Sequence, residues 1–235
     1  MSLANKHEDS GMPSKETFFQ GKHVVITGGA SGIGLALAEQ LFKLGADVSV
    51  IDISFTKNLP EKIAFTQADV TNKSVLEAKV QAKKVDLLII AAGVTSQTNE
   101  PTEQEQNLME AVNVRGVQNS LDVFESRLIP RAQVVYIGSD DPPKAYYADT
   151  KRRGAEAVRA FAHTHSGLDV RIILLGPVRT PLFNKGKPPE VIQRIAEHVG
   201  LYEPQEFADA LIGQLVKPSQ DKNSPQEMVM YKKVK

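Results

Sequence analysis

The chain has 235 residues, and its 28 lysines and arginines balance 28 aspartates and glutamates, so its formal net charge is zero. A chain of this length can bury one sizeable α/β core. It has no excess of basic residues of the kind that indicates nucleic-acid binding. The lack of cysteine excludes disulfides and thiolate metal ligands, and no apolar run reaches the roughly 18 residues of a membrane span. We therefore expect a cytoplasmic protein with no metal site, no nucleic-acid partner and no membrane partner.

The N-terminal segment differs from the rest of the chain. Residues 1–20 are polar and lack the apolar core of a signal peptide. They are expected to form a flexible tail that ends where Phe18 and Phe19 pack onto the domain. Residues 21–235 show no internal repeat and no linker, so one domain is expected there.

Strands and helices alternate along this domain. Predicted strands occupy residues 23–26, 47–52, 63–67, 85–90, 133–137 and 170–175, with an edge strand at 228–231. Predicted helices occupy residues 35–44, a segment from 71 onward, 103–128, 147–163 and 204–216. This alternation predicts a doubly wound, mostly parallel sheet in three layers, with a ligand at the carboxyl ends of the strands.

A glycine-rich turn joins the first predicted strand to the first helix. It reads Thr27-Gly28-Gly29-Ala30-Ser31-Gly32-Ile33-Gly34. Glycines let the backbone approach a pyrophosphate closely, and the first N–H groups of the helix point at the negative charge. The order Gly-x-x-x-Gly-x-Gly differs from the general Gly-x-Gly-x-x-Gly fingerprint, but strand, turn and helix together predict a dinucleotide-phosphate site.

Asp52 ends the second predicted strand, 52 − 34 = 18 residues after Gly34. An acid about 20 residues beyond the glycines accepts hydrogen bonds from the adenosine ribose and repels a 2′-phosphate. Ile53 follows it where an arginine would suit NADP, and Ser31 in the turn is not basic. NAD is therefore expected in preference to NADP, the alternative for Asp52 being an ordinary turn cap.

Tyr147 and Lys151 are four residues apart on a predicted helix, so their side chains share one face. A neighbouring ammonium and a positive nicotinamide ring would lower the pKa of the phenol from about 10 toward working pH. Ser139 lies just past the fifth strand, where its hydroxyl could polarise a substrate carbonyl. Tyr231 and Lys235 share the same spacing but lack this context, so no function is assigned to them.

These motifs occur in the order found in short-chain dehydrogenases/reductases, and the chain resembles that family over residues 27–181. The resemblance rests on Thr27–Gly34, Asp69, Asn113, Ser139, Tyr147, Lys151 and Gly176–Pro181. It implies a single-domain Rossmann fold and an oxidoreductase that transfers a hydride between NAD(H) and a small-molecule alcohol or ketone.

The same resemblance implies a role for each site residue. Tyr147 would be the general acid/base, Ser139 would orient the substrate oxygen, and Lys151 would hold the nicotinamide ribose and lower the pKa of the tyrosine. Asn113 would support a water-mediated proton relay. Cofactor contacts are expected at Gly28, Ser31, Gly32, Ile33, Gly34, Asp52, Asp69, Val70, Ala92, Gly93, Tyr147, Lys151, Pro177, Val178 and Thr180. A homodimer or homotetramer through the helices starting near Glu103 and Tyr147 is implied as well.

Three features depart from the family pattern. Ile90-Ala91-Ala92-Gly93 stands where Asn-Asn-Ala-Gly is common, so asparagine hydrogen bonds are missing while the close approach at Gly93 is kept. The connection from Ser139 to Tyr147 is short and carries Asp140, Asp141, Pro142 and Pro143. No glycine-rich turn follows the last strand, which weakens the expectation of a tetramer.

The sequence alone leaves several alternative interpretations open. Residues 182–201 are either a lid over the substrate or a plain surface loop. Asp140 and Asp141 either face a polar or cationic substrate or form a solvated turn. The chain could also be a regulator that senses NAD occupancy, or a sugar-nucleotide epimerase or dehydratase, although only 235 − 181 = 54 residues follow Pro181 to build a substrate domain.

Overall fold

The computed structural model describes residues 13–82, 84–140, 145–219 and 224–233. Its strands are β1 His23–Thr27, β2 Asp47–Asp52, β3 Ala64–Gln67, β4 Val85–Ile90, β5 Leu128–Ile137, β6 Asp169–Leu175 and β7 Gln226–Met230. Its helices are α1 Lys15–Phe19, α2 Gly32–Lys43, α3 Lys73–Lys79, α4 Glu103–Met109, α5 Gly116–Glu125, α6 Ala145–Thr164, α7 Pro181–Asn184, α8 Pro189–His198 and α9 Pro204–Leu215.

All seven strands pair in parallel in one sheet, in the order β3-β2-β1-β4-β5-β6-β7. The order reverses at β1, so the crevice between the carboxyl ends of β1 and β4 is where a ligand is expected. The doubly wound parallel fold predicted from the alternating pattern is confirmed.

Two apolar clusters cover the faces of the sheet. One joins the sheet to α2 and α9, and the other joins it to α5 and α6. The central strand β4 is buried along almost its whole length, since helices cover it on both sides. This rigid core fixes the positions of the loops that follow the carboxyl ends of the strands.

The N-terminal helix α1 lies within the predicted tail. Its cap is Ser14, whose Oγ accepts a hydrogen bond from the N–H of Thr17 at 3.2 Å. Phe19 is fully buried in the core, and Phe18 packs against it edge to face, in agreement with the docking expected of these two rings. Residues 1–12 of the predicted tail lie outside the described residues.

The prediction of one long helix over residues 103–128 is wrong in two respects, since the helical segment is shorter and is interrupted. It ends at Glu125, and a π-helical segment, Glu110–Arg115, separates α4 from α5. The chain then enters β5 at Leu128, earlier than expected, because Pro130 cannot continue a helix and the residue before a proline prefers extended backbone.

Residues 182–201 are not a plain loop. They contain α8 and most of α7, each with a proline in its first turn, where the missing N–H costs nothing. Thr180 caps α7 by accepting a hydrogen bond from the N–H of Phe183 at 3.0 Å. Within the described part of the chain, no helix has the length and apolar character needed to cross a bilayer.

Candidate active site

One cleft of about 680 Å³ opens at the carboxyl edge of the sheet. Nearly all the predicted site residues line it: Gly28, Ser31, Gly32, Ile33, Gly34, Asp52, Asp69, Val70, Ala92, Gly93, Ser139, Tyr147, Lys151, Pro177, Val178 and Thr180. Asn113 does not line the cleft and lies buried behind it. The fold therefore gathers residues spread over more than 150 positions into one site.

The glycine-rich turn forms a cradle that side chains would fill. Gly28 has a φ of +73°, and a Cβ on it would lie 2.5 Å from the backbone of Ala92. A Cβ on Gly34 would lie 2.1 Å from the carbonyl oxygen of Gly28. Because α2 begins at Gly32, its first N–H groups open toward the cleft, and this geometry suits a pyrophosphate.

Asp52 contacts this turn from the end of β2. Its Oδ2 accepts a hydrogen bond from the N–H of Ala30 at 3.0 Å, and its Oδ1 accepts one from the N–H of Ser54 at 3.3 Å. Each carboxylate oxygen has a second lone pair available to a ligand. Asp69 uses its Oδ1 to cap a turn at Thr71, while Val70 is buried beside it.

Tyr147 and Ser139 meet at the middle of the cleft and share a hydrogen bond between their side chains. Burial raises the pKa of Tyr147 to about 12, and the hydrogen bond with Ser139 opposes this rise. Desolvation thus dominates the pKa of Tyr147 in the protein without nucleotide, and the lowering expected from the ammonium of Lys151 beside a bound nicotinamide stays a prediction.

Lys151 is 4% exposed and has its ammonium at the cleft wall. Its Nζ donates a hydrogen bond to the carbonyl oxygen of Ile137 at 2.7 Å and lies 4.6 Å above the ring of Tyr136. Burial lowers the pKa of Lys151 to about 7. The lysine can therefore exist in either protonation state near neutral pH.

Asn113 links the cleft to the helices behind it. Its Nδ2 donates hydrogen bonds to the carbonyl oxygen of Val94 at 2.9 Å and to the Oγ1 of Thr150 at 3.0 Å. Its Oδ1 accepts a hydrogen bond from the N–H of Val94 at 2.9 Å. The asparagine sits in the π-helical segment, which aims its amide at the loop after β4.

Some features in and beside the cleft have little or no signal in the sequence. Tyr231 donates a hydrogen bond from its hydroxyl to Oδ2 of Asp140 at 2.7 Å, across 91 positions of sequence. Phe183, Ile195 and Val199 reach the cleft from α7, α8 and the residue after α8. The apolar spacing of residues 191–199 was the one available signal, and the neighbouring prolines masked it.

The arrangement brings together the groups that proton transfer requires. A phenol, an ammonium and a hydroxyl lie next to a phosphate cradle, and groups of this kind can bind, orient and protonate a carbonyl oxygen. The described residues contain no group of three or more histidines and carboxylates placed to hold a metal ion. Asp141, Pro142, Pro143 and Lys235 lie outside the described residues.

Known proteins are similar to this chain in sequence. A family model described as short chain dehydrogenase matches residues 22–190. The glycine betaine reductase ATRR of Emericella nidulans is 27% identical over 226 residues, which cover 84% of this chain but only 18% of that protein. The chain thus spans about a fifth of the length of this curated relative.

Two solved structures have a closely similar fold. A 3-ketoacyl-(acyl-carrier-protein) reductase from Brucella melitensis, complexed with NADH, superposes with a TM-score of 0.73 at 21% identity, over 90% of this chain and 98% of that one. BdcA in complex with NADPH superposes with a TM-score of 0.76 at 18% identity, over 90% and 94% of the two chains. Since the family model spans well over half of its residues, the chain belongs to the short-chain dehydrogenase family.

Proposed function

We propose that the protein is an oxidoreductase that transfers a hydride between NAD(H) and an alcohol or ketone. The observation that carries this proposal is the meeting of Ser139, Tyr147 and Lys151 in one cleft with the glycine cradle. Membership of the short-chain dehydrogenase family makes a nicotinamide cofactor the expected ligand of that cradle.

The residues present fit a nicotinamide dinucleotide along the cleft. Gly28, Gly32 and Gly34 would receive the pyrophosphate, with the start of α2 facing its charge. Asp52 would accept hydrogen bonds from the adenosine ribose, and Asp69 with Val70 would flank the adenine. Ala92 and Gly93 would allow close approach, and the loop Pro177–Thr180 would hold the carboxamide.

The chain's own residues then handle the proton. When bound, the nicotinamide supplies the acceptor or donor of the hydride. Ser139 orients the substrate oxygen by hydrogen bonding, and Tyr147 takes the hydroxyl proton during oxidation or returns it during reduction. Lys151 holds the ribose and, as an ammonium, favours the phenolate form of Tyr147. Asn113 fixes the loop after β4 and the Thr150 turn of α6 on which this geometry depends.

Charge at the adenosine end supports NAD over NADP. Asp52 would repel a 2′-phosphate. The neighbouring Ile53 is 60% exposed, but its side chain carries no positive charge that could bind the phosphate. The two superposed structures carry NADH and NADPH respectively, so the preference of this chain is argued from its own residues.

The substrate end of the cleft favours an apolar body around the reacting carbon. Leu182, Phe183, Ile195 and Val199 line the cleft there, and Val199 is 48% exposed. The ammonium of Lys187 is hydrogen-bonded to the carbonyl oxygen of Phe183 and lies over its ring. If α7 and α8 act as a lid, their closure would pack these apolar side chains against the substrate and exclude water.

A second candidate is a regulator that binds NAD and passes its occupancy to a partner protein. The sequence Ile90–Gly93 favours it, since the alanines there remove hydrogen bonds that relatives commonly use. The intact set of Ser139, Tyr147 and Lys151 argues for the enzyme. A cytoplasmic homodimer or homotetramer through α4 and α6 remains part of either proposal.

Paired fluorescence titrations with NADH and NADPH, followed by a screen of alcohols and ketones, test the proposal. We expect NADH to bind more tightly and alkyl or aryl ketones to be reduced. Tight NADH binding without turnover of any substrate would favour the regulator. Failure to bind either nucleotide would overturn both candidates.

A further inference from the structure

Tyr136 lies beneath the predicted catalytic centre and takes no part in the proposed proton transfer. It is a residue of β5, three positions before Ser139, and its side chain is fully buried. Its hydroxyl donates a hydrogen bond to the backbone carbonyl oxygen of Lys151 at 3.1 Å. Phenylalanine would fill nearly the same volume, so this hydrogen bond is what the tyrosine adds to the packing.

The ring of the same tyrosine faces the charged end of Lys151. The ammonium nitrogen lies 4.6 Å from the ring centroid, well within the distance of about 6 Å at which an aromatic face attracts a cation. This attraction is strongest where water is excluded, and the lysine is almost completely buried. Tyr136 therefore contacts both the backbone and the charge of one residue.

Other charged groups do not explain how a buried ammonium is held here. In the part of the chain that the structure describes, Lys151 has no ion pair: its Nζ donates to the neutral carbonyl of Ile137, and burial is the only cause of its lowered pKa. Among the described residues, two titratable side chains are placed beside it: Tyr147, four positions earlier on α6, and Tyr136 on β5. Both phenols are neutral near pH 7, since burial raises their pKa values.

Gly154 leaves the space that this contact requires. A Cβ on Gly154 would lie 2.6 Å from the hydroxyl oxygen of Tyr136 and 2.5 Å from the backbone oxygen of Asn113. Only glycine lets α6 approach β5 closely enough for the phenol to reach the carbonyl of Lys151. The contact is thus built from three separate elements: β5, α6 and the π-helical segment.

We propose that Tyr136 is the positioning residue of Lys151: its hydroxyl fixes the lysine backbone against β5, and its ring face keeps the side chain as an ammonium at the cleft. Burial alone would drive the lysine toward the neutral amine near pH 7. The ring offsets part of that cost. The consequence for cofactor binding rests on the proposed function, whereas the contact itself does not.

Graded fluorination of the ring tests the electrostatic part without changing shape. Position 136 receives phenylalanine, 4-fluoro-, 3,5-difluoro- or 3,4,5-trifluorophenylalanine, which weaken the negative ring face stepwise. The titration midpoint of Lys151 is read from the ¹³Cε signal of labelled lysine in the protein without nucleotide, and the signal is assigned by its loss in Lys151→Met. We expect Tyr136→Phe to keep the midpoint and the trifluoro variant to lower it by about one pH unit.

The hydroxyl is tested by comparing Tyr136→Phe with the wild type. We expect the NADH dissociation constant of the Phe variant to rise severalfold at one pH, because Lys151 is less well fixed, while its pH dependence stays unchanged. In the trifluoro variant, the pH at which NADH affinity weakens should fall with the lysine midpoint. A midpoint that does not move along the fluorine series would overturn the charge role, and unchanged NADH affinity in Tyr136→Phe would overturn the backbone role. If the wild type binds no NADH, the cofactor assignment fails, but the lysine titration still decides whether the ring acts on Lys151.

Discussion

The Asp52 carboxylate and the backbone N–H of Ala30 are joined by a hydrogen bond of 3.0 Å, which ties the end of β2 to the phosphate cradle. One side chain thus serves two purposes: it shapes the turn and presents a negative charge where the adenosine ribose is expected. Loss of this charge should therefore affect both the affinity for NADH and the discrimination against NADPH.

We expect Asp52→Ala to weaken NADH binding by roughly tenfold or more, since hydrogen bonds to a charged group are lost. NADPH binding should weaken less or improve, because the repulsion of the 2′-phosphate disappears. Asp47→Ala is a matched control: it lies at the opposite end of β2, paired with His23, and should leave both affinities unchanged. Fluorescence titration with each nucleotide measures the ratio of the NADPH and NADH dissociation constants. A variant that keeps the wild-type ratio would contradict the role given to Asp52.

Tyr147→Phe separates proton transfer from binding. The variant keeps the ring and loses the hydroxyl that shares a hydrogen bond with Ser139. Removal of a general acid/base costs about 10²- to 10⁴-fold in turnover, so kcat should fall by that factor while NADH affinity changes little. Tyr146→Phe, at the adjacent position of α6, is the control and should retain activity. Wild-type turnover in Tyr147→Phe would remove the tyrosine from the mechanism.

The parts of this site that the sequence predicts are those with local signals. The glycine turn, the strand ending in Asp52 and the pair of Tyr147 and Lys151 each depend on residues within a few positions of one another. The parallel sheet then follows from the alternation of apolar strands and helices, and it brings these segments to one edge.

The remaining features depend on contacts between distant residues. Two examples are the hydrogen bond between Tyr231 and Asp140 and the contact of Tyr136 with Lys151. Both require the strands to be in place in the sheet. The burial that raises the pKa of Tyr147 has the same origin, since a spacing of four residues shows the nearby charge but not the burial.

Asn113 should matter for stability independently of any relay. It is fully buried and exchanges two hydrogen bonds with Val94 and donates one to Thr150. Asn113→Ala leaves these partners unsatisfied, at about 1–3 kcal/mol each where water cannot replace the bond. We expect a loss of at least about 2 kcal/mol in the free energy of unfolding by urea. Asn107→Ala, exposed on α4, should cost far less, and equal losses in the two variants would show that the buried network contributes little.

Lys151 should make stability depend on pH in a defined direction. Its pKa is about 7 in the folded protein against an ordinary 10.5, so between these values the unfolded chain binds more protons. The free energy of unfolding therefore rises with pH across that window, by up to about 1.4 kcal/mol per pH unit from this group. Below pH 7 the full cost of the buried charge is present, and toward pH 10 it is relieved.

The contribution of Lys151 is isolated by comparing the wild type with Lys151→Met through urea unfolding at pH 6.5, 8 and 9.5. Tyr147 is present in both proteins, so the opposite effect of its raised pKa, which begins above pH 10, cancels in the difference. We expect the methionine variant to gain stability relative to the wild type at pH 6.5 and to lose that advantage by pH 9.5. A difference that is constant with pH would mean that the lysine keeps its proton throughout, and the ring of Tyr136 would then stabilise the ammonium more strongly than burial opposes it.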